Sequence, residues 1–140
     1  MKIAKIEAIP VLLEAPAFHS TYGTVRNYAD VMVRIESDEG IVGVGEASPL
    51  VPMELGETQE TVLAVIRAHL APPMMGQDPV RIAVLIERMD SSILGHPIAK
   101  AAMEMALYDL VGRSLNRPVY DLLGRAFRTS FPTFGSMVVG

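Results

Sequence analysis

The stretch AKAAMEMALYDLVGR, Ala99–Arg113, decides how this 140-residue chain folds. Between Ala101 and Val111, nine of eleven residues are apolar or aromatic, and only Glu104 and Asp109 interrupt. A surface helix carries one oily stripe; a helix oily nearly all round has to be covered on most sides. His96-Pro97 opens it, with proline at the first helical position where its missing N–H costs nothing. Ala99, Ala101, Ala102 and Ala106 leave room for neighbouring elements to come close. What covers it in a chain of 140 residues is not written in the local pattern.

Upstream, Val62, Val65, Ile66, His69 and Leu70 fall at i, i+3, i+4, i+7 and i+8, one helical face. Thr58 is placed to cap this helix and Pro72-Pro73 to end it. His69 is on the stripe and is expected in the core or at its rim. A second helix is predicted from Asp78-Pro79, with the stripe Ile82, Leu85, Ile86 and Met89. Downstream, NRPVYDLLG gives a turn, a short helix over about 118–123 and a glycine stop at Gly124.

The N-terminal third reads as β. Lys2 to Glu14 is rich in Ile, Val and Leu, and Pro10 makes it an edge strand or kinks it. In YADVMVRIES, Val31, Val33 and Ile35 alternate with Met32, Arg34 and Glu36, the signature of a half-buried strand. SDEG, Ser37–Gly40, is turn chemistry, and IVGVGEA continues as a strand. The three strands make an antiparallel meander. Ala15–Asn27 and Ser48–Glu57 lose periodicity and read as loops. GVGEAS, Gly43–Ser48, lacks the third glycine of a dinucleotide site, and Pro49 stands where a helix should begin. Its glycines are expected to permit close packing or a bulge, and Glu46 is read as a polar strand-end residue rather than a general base. FPTFGSMVVG turns β again at the end.

Bulk properties exclude several classes. Composition is 50% hydrophobic and mean hydropathy is +0.32, oilier than usual for a free-standing small domain. That excess predicts surface meant for another domain or subunit, and hence a homo-oligomer. Net charge is −4 and no basic patch forms, which disfavours a nucleic-acid partner. With no cysteine there is neither a disulfide framework nor thiolate chemistry, which fits a cytoplasmic protein. Glu7 and Pro10 break the first apolar run, and no stretch approaches the roughly 20 apolar residues of a membrane span. His19, His69 and His96 lack metal-ligand spacing.

The meander closing in GIVGVGEASP, LAPPMMGQDP before the second helix, and above all AKAAMEMALYDLVGRSLNRPVYDLLGR resemble one family. The chain looks like the N-terminal capping domain of the enolase superfamily, in its mandelate racemase/muconate lactonizing enzyme branch. The resemblance implies an α+β fold: a three-stranded antiparallel meander, a helical bundle, and the first strand of a missing TIM-type barrel. Residues 1–128 would be the cap and 129–140 a linker and that first strand, since such a barrel needs about 250 residues. It also implies a Mg²⁺-dependent, muconate-lactonizing-like isomerase or cycloisomerase that removes the proton α to a carboxylate. The metal ligands and bases would lie on barrel strands beyond Gly140, so none is assigned to this chain, and alone it is expected to be inactive. The two loops would close over the barrel mouth and contact a carboxylate substrate. Phe18, His19, Thr21 and Tyr22 are the candidates from the first, with Val51, Met53 and Leu55 from the second. Glu104 and Asp109 are expected to pair with arginine or backbone N–H groups near the domain junction. The alternative is a non-catalytic α+β module that self-associates or binds a partner through its apolar surface.

Overall fold

Alternation along β2 (Gly23–Ser37) sets the architecture. Val31, Val33 and Ile35 are fully buried on one face, while Met32, Arg34 and Glu36 stay half-exposed on the other. The computed structural model describes residues 1–20, 23–49 and 56–133. β2 is the centre of a three-stranded antiparallel sheet in the order β1-β2-β3, flanked by β1 (Ile3–Ser20) and β3 (Val42–Ala47). Pro10 sits opposite Val31 on edge strand β1, where its missing N–H breaks no ladder on the outer side. Gly40, with φ of 79°, makes the β2–β3 turn, and Ser37 Oγ accepts the Ile41 N–H there.

Helices cover one face of the sheet. α1 (Gln59–Val65) starts at Thr58, whose hydroxyl accepts the Thr61 N–H while the Thr61 hydroxyl accepts the Thr58 N–H. It runs into a π-helical turn, Ile66–Leu70, closed by the Ala71 N–H on the Ile66 carbonyl at 2.8 Å, and then a 3₁₀ turn, Pro72–Met74. α2 spans Ile82–Ser92, α3 Pro97–Ser114 and α4 Val119–Leu122. The core joins Ile3, Val31, Val33 and Ile35 of the sheet to Val62, Ile66, Leu70, Leu85 and Met89. At its centre, α3 contributes Ala99, Ala102, Met103, Ala106, Leu107 and Leu110.

Where the resemblance implies that this helix lies between the other cap helices and a barrel flank, β3 and β2 cover α3 on one side and α1, the π turn and α2 on the other. Contact with β3 is made possible by two glycines. A Cβ on Gly43 would fall on the Ala106 carbonyl and the Leu110 nitrogen; one on Gly45 would fall on the Ala102 carbonyl.

Three readings are corrected. Ala15–Asn27 is not a loop, because β1 runs to Ser20 and β2 starts at Gly23. The described side chains of this paired segment are exposed on both faces, so no hydrophobic alternation marks them, and its register is irregular between Glu14 and Phe18, where Pro16 lies. α2 begins at Ile82 rather than Asp78-Pro79. Asp78 instead closes a turn, accepting the Val80 N–H on its side chain at 3.0 Å and the Arg81 N–H on its carbonyl at 3.2 Å. His69 is exposed, not in the core. The wider π turn rotates it off the stripe while returning Leu70 to the interior.

Candidate functional site

Past Val11 and Asp30 the β1–β2 hairpin leaves the helices and continues as an arm. Val11 pairs with Asp30 at its root, and Ser20 pairs with Gly23 at its tip. His19 is exposed on this arm, its Nδ1 2.9 Å from the Thr24 hydroxyl. Phe18 pairs through its backbone with Val25. Phe18 and His19 are therefore strand residues of one arm rather than loop residues. Thr21, Tyr22, Val51, Met53 and Leu55 lie outside the described residues.

Polar ties converge where the arm leaves the body. Gln59, the first residue of α1, donates through Nε2 to the Val11 carbonyl at 2.9 Å and to the Asp30 carbonyl at 2.6 Å. Two residues earlier, Glu57 is 1% exposed. Its carboxylate accepts the Ile98 N–H at 2.7 Å and the Ala99 N–H at 3.3 Å, the first turn of α3. Pro97 has no N–H to satisfy, so these are the donors that a cap must serve. His96 holds a left-handed conformation (φ 55°) with Nδ1 3.7 Å from Glu57. One residue cluster thus joins the arm root, the end of Ser48–Glu57 and the start of α3.

Glu46 of β3 reaches the same region. Its carboxyl is raised above the usual carboxylate range, first by partial desolvation and then by a hydrogen bond and charge repulsion from Asp30. Asp30 is 4% exposed. A raised folded-state value means that the ionised form burdens the fold at neutral pH. The burden is relieved as pH falls through the raised value and is gone below the unfolded one, about 4.3. Glu46→Gln keeps a donor for Asp30 without the charge. It is expected to stabilise at pH 7, by under about 1 kcal/mol given the solvent screening of an exposed group. The gain should vanish at pH 4. Urea midpoints at the two pH values check this, and a gain that persists at pH 4 would rule out the Glu46 charge as its source.

A second feature is a groove of about 500 Å³ beside α3, whose lining includes the apolar Val44, Ala101, Met105, Val119 and Leu123 together with Tyr108, Glu104 and Asp109. Met105 is 46% exposed and Leu123 65%. Asp109 is paired as expected, accepting the Val44 N–H and the Arg113 Nε–H, each at 2.9 Å. Glu104 has no such partner among the described residues. Among the described residues, no group of three or more His, Cys, Asp or Glu side chains could hold a metal ion, and no helix is long and apolar enough to cross a membrane.

Sequence reasoning missed Glu57, Gln59 and Asp30. Glu57 and Gln59 flank a legible cap at Thr58, but their partners lie 29 to 48 residues away, and no local pattern encodes that.

Comparison with known proteins places this architecture. Residues 4–124 match the profile of the mandelate racemase / muconate lactonizing enzyme N-terminal domain. The chain is 37% identical over 134 residues to N-succinyl-L-Arg/Lys racemase of Bacillus cereus, covering 94% of this chain and 36% of that protein. It is 36% identical over 141 residues to chloromuconate cycloisomerase of Pseudomonas putida, covering 97% and 38%. The crystal structure of the Bacillus cereus racemase superposes with a TM-score of 0.90 at 35% identity, over 94% of this chain and 36% of that one. That of muconate lactonizing enzyme from Pseudomonas putida gives 0.81 at 32%, over 91% and 34%. The chain thus spans little more than a third of the relatives it matches. The three-stranded sheet with its helices is the enolase-type N-terminal domain, and the chain belongs to the mandelate racemase/muconate lactonizing enzyme family.

Proposed function

We propose that residues 1–128 cap the active site of a Mg²⁺-dependent racemase or cycloisomerase that removes the proton α to a carboxylate. Residues 129–140 would be the linker and first strand of the barrel that carries the chemistry. One observation carries this reading: the chain matches its relatives almost end to end yet covers only 36–38% of their length. The groove beside α3 supports it, because an apolar surface of that size suits a further domain of the same protein.

The described residues offer no metal site. We assign Mg²⁺ to the barrel, as the family resemblance implies, where it would stabilise the charge that develops on the carboxylate. What the cap does is bind, orient and exclude water. The arm would hold Phe18, His19, Thr21 and Tyr22 over the barrel mouth, with Val51, Met53 and Leu55 approaching from the second segment. The bare groove also favours self-association of the isolated chain, in keeping with a homo-oligomer in the cytoplasm.

The test uses N-succinyl-L-arginine and cis,cis-muconate with Mg²⁺ in D₂O, followed by proton NMR. The 140-residue chain should exchange no α-proton and form no lactone. The longest form of the protein that the gene encodes should do one or the other. Exchange by the chain alone, or inactivity of the longest form toward both, would overturn the reading.

A further inference from the structure

We propose that Gln59 is a positioning residue that fixes the angle of the β1–β2 arm, and with it the placement of the arm's side chains. The inference rests on the capping reading for its functional meaning, and on geometry alone for the clamp.

Gln59 Nε2 has two hydrogens, and each goes to a different strand: one to Val11 on β1, one to Asp30 on β2. These two residues are direct cross-strand partners. The amide therefore bridges the hairpin at a single rung. Beyond that rung most of the described side chains of the arm are exposed. Leu12 is 62% and Leu13 49% exposed, and Pro16, His19, Arg26 and Asn27 are exposed as well, with Tyr28 half-buried. Further down β1, other ties hold the same edge. Arg67 donates to the Ala8 carbonyl at 2.9 Å, and Ile3 exchanges backbone bonds with Gln77 and Gly76. Gln59 is the outermost of this series.

The lever is long. Nine residue-to-residue steps lead from Val11 to Ser20 at the tip, about 30 Å of extended strand. A rotation of about 10° at the root moves the tip by about 5 Å at that length, far more than the roughly 1 Å misplacement that costs an active site its efficiency. A short, fixed clamp at the root is therefore worth more to tip position than any single contact near the tip. Gln59 also begins α1 immediately after Glu57 and Thr58, so the clamp ties the arm to the segment anchored on α3.

The clamp depends on a group that can donate twice. Glutamate has the same shape, but its ionised carboxylate accepts and cannot donate. Placed in the first turn of α1 it also favours the helix. Gln59→Glu thus separates the clamp from general stability. Hydrogen–deuterium exchange read by mass spectrometry on the longest form of the protein makes the first test. Peptides covering 12–19 and 24–29 should exchange about tenfold faster, with α3 peptides unchanged. An unchanged arm, or equal acceleration in α3, overturns the clamp. The second test is kinetic, with N-succinyl-L-arginine as the probe: KM should rise about fivefold with kcat within about twofold. Faster exchange at constant KM would overturn the arm's role in placing substrate. A wild-type enzyme that does not turn the probe over counts against the racemase reading alone, and the exchange data still decide the clamp.

Discussion

Gly45→Ala is expected to cost the fold about 3 kcal/mol or more, and Gly45→Val to abolish soluble expression. A Cβ at position 45 lands on the Ala102 carbonyl oxygen and within 2.9 Å of the Ala106 nitrogen. Both are backbone atoms of α3, so no side chain can swing away to make room. Either β3 bends or the whole helix retreats. Retreat would open a gap along Ala102, Met103, Ala106 and Leu110, all with no exposed surface. Overpacking usually costs about 1–3 kcal/mol where side chains can adjust, and here they cannot. For a chain of this size the fall in Tm should be on the order of 10 °C. Gly40→Ala is the matched control: its site is open space and the penalty comes only from φ of 79°, about 1 kcal/mol. Thermal and urea unfolding separate the two. Equal midpoints for the Gly45 and Gly40 variants would mean that α3 does not depend on its close approach to β3.

Glu57→Ala is expected to lose a similar amount, about 3 kcal/mol, by a different route. Its carboxylate serves two N–H groups in the first turn of α3, one of them at 2.7 Å. Bonds to a charged acceptor contribute about 1.5–3 kcal/mol each when removal strands a donor, and the helix N-terminus adds an attraction for negative charge. Alanine leaves Ile98 and Ala99 without that acceptor in a place where water enters poorly. Glu57→Gln should recover about half of the loss, because its carbonyl oxygen still serves one donor. Its amide then faces His96 Nδ1, which lies 3.7 Å from the present carboxylate and has no hydrogen-bond partner among the described residues. The order wild type, Gln, Ala in urea midpoint checks the cap; Ala equal to wild type would show that α3 starts without it.

Both residues stand at the boundary of what could be read in advance. The GVG run was legible as a site of either close packing or a bulge. What packs there was not, because Ala102 and Ala106 are some sixty residues away. Thr58 was legible as a cap because its partner, Thr61, is three residues on. Glu57 was invisible beside it because its partners are 41 and 42 residues on. The arm was misread for a related reason. Period-2 alternation records burial of one face, and a hairpin exposed on both faces has none to record.

The sequence by itself determined the meander, the order and faces of the helices, the oily character of α3 and the family resemblance. Those features rest on local periodicity, turn residues and caps, which act over a few neighbouring positions. Only the tertiary structure decided that Ala15–Asn27 is mostly strand, that a π turn swings His69 outward, and that Glu57 and Gln59 bind the arm root and α3 into one junction. Each depends on backbone groups brought together from distant parts of the chain, and a hydrogen bond between such groups leaves no spacing in the sequence to read.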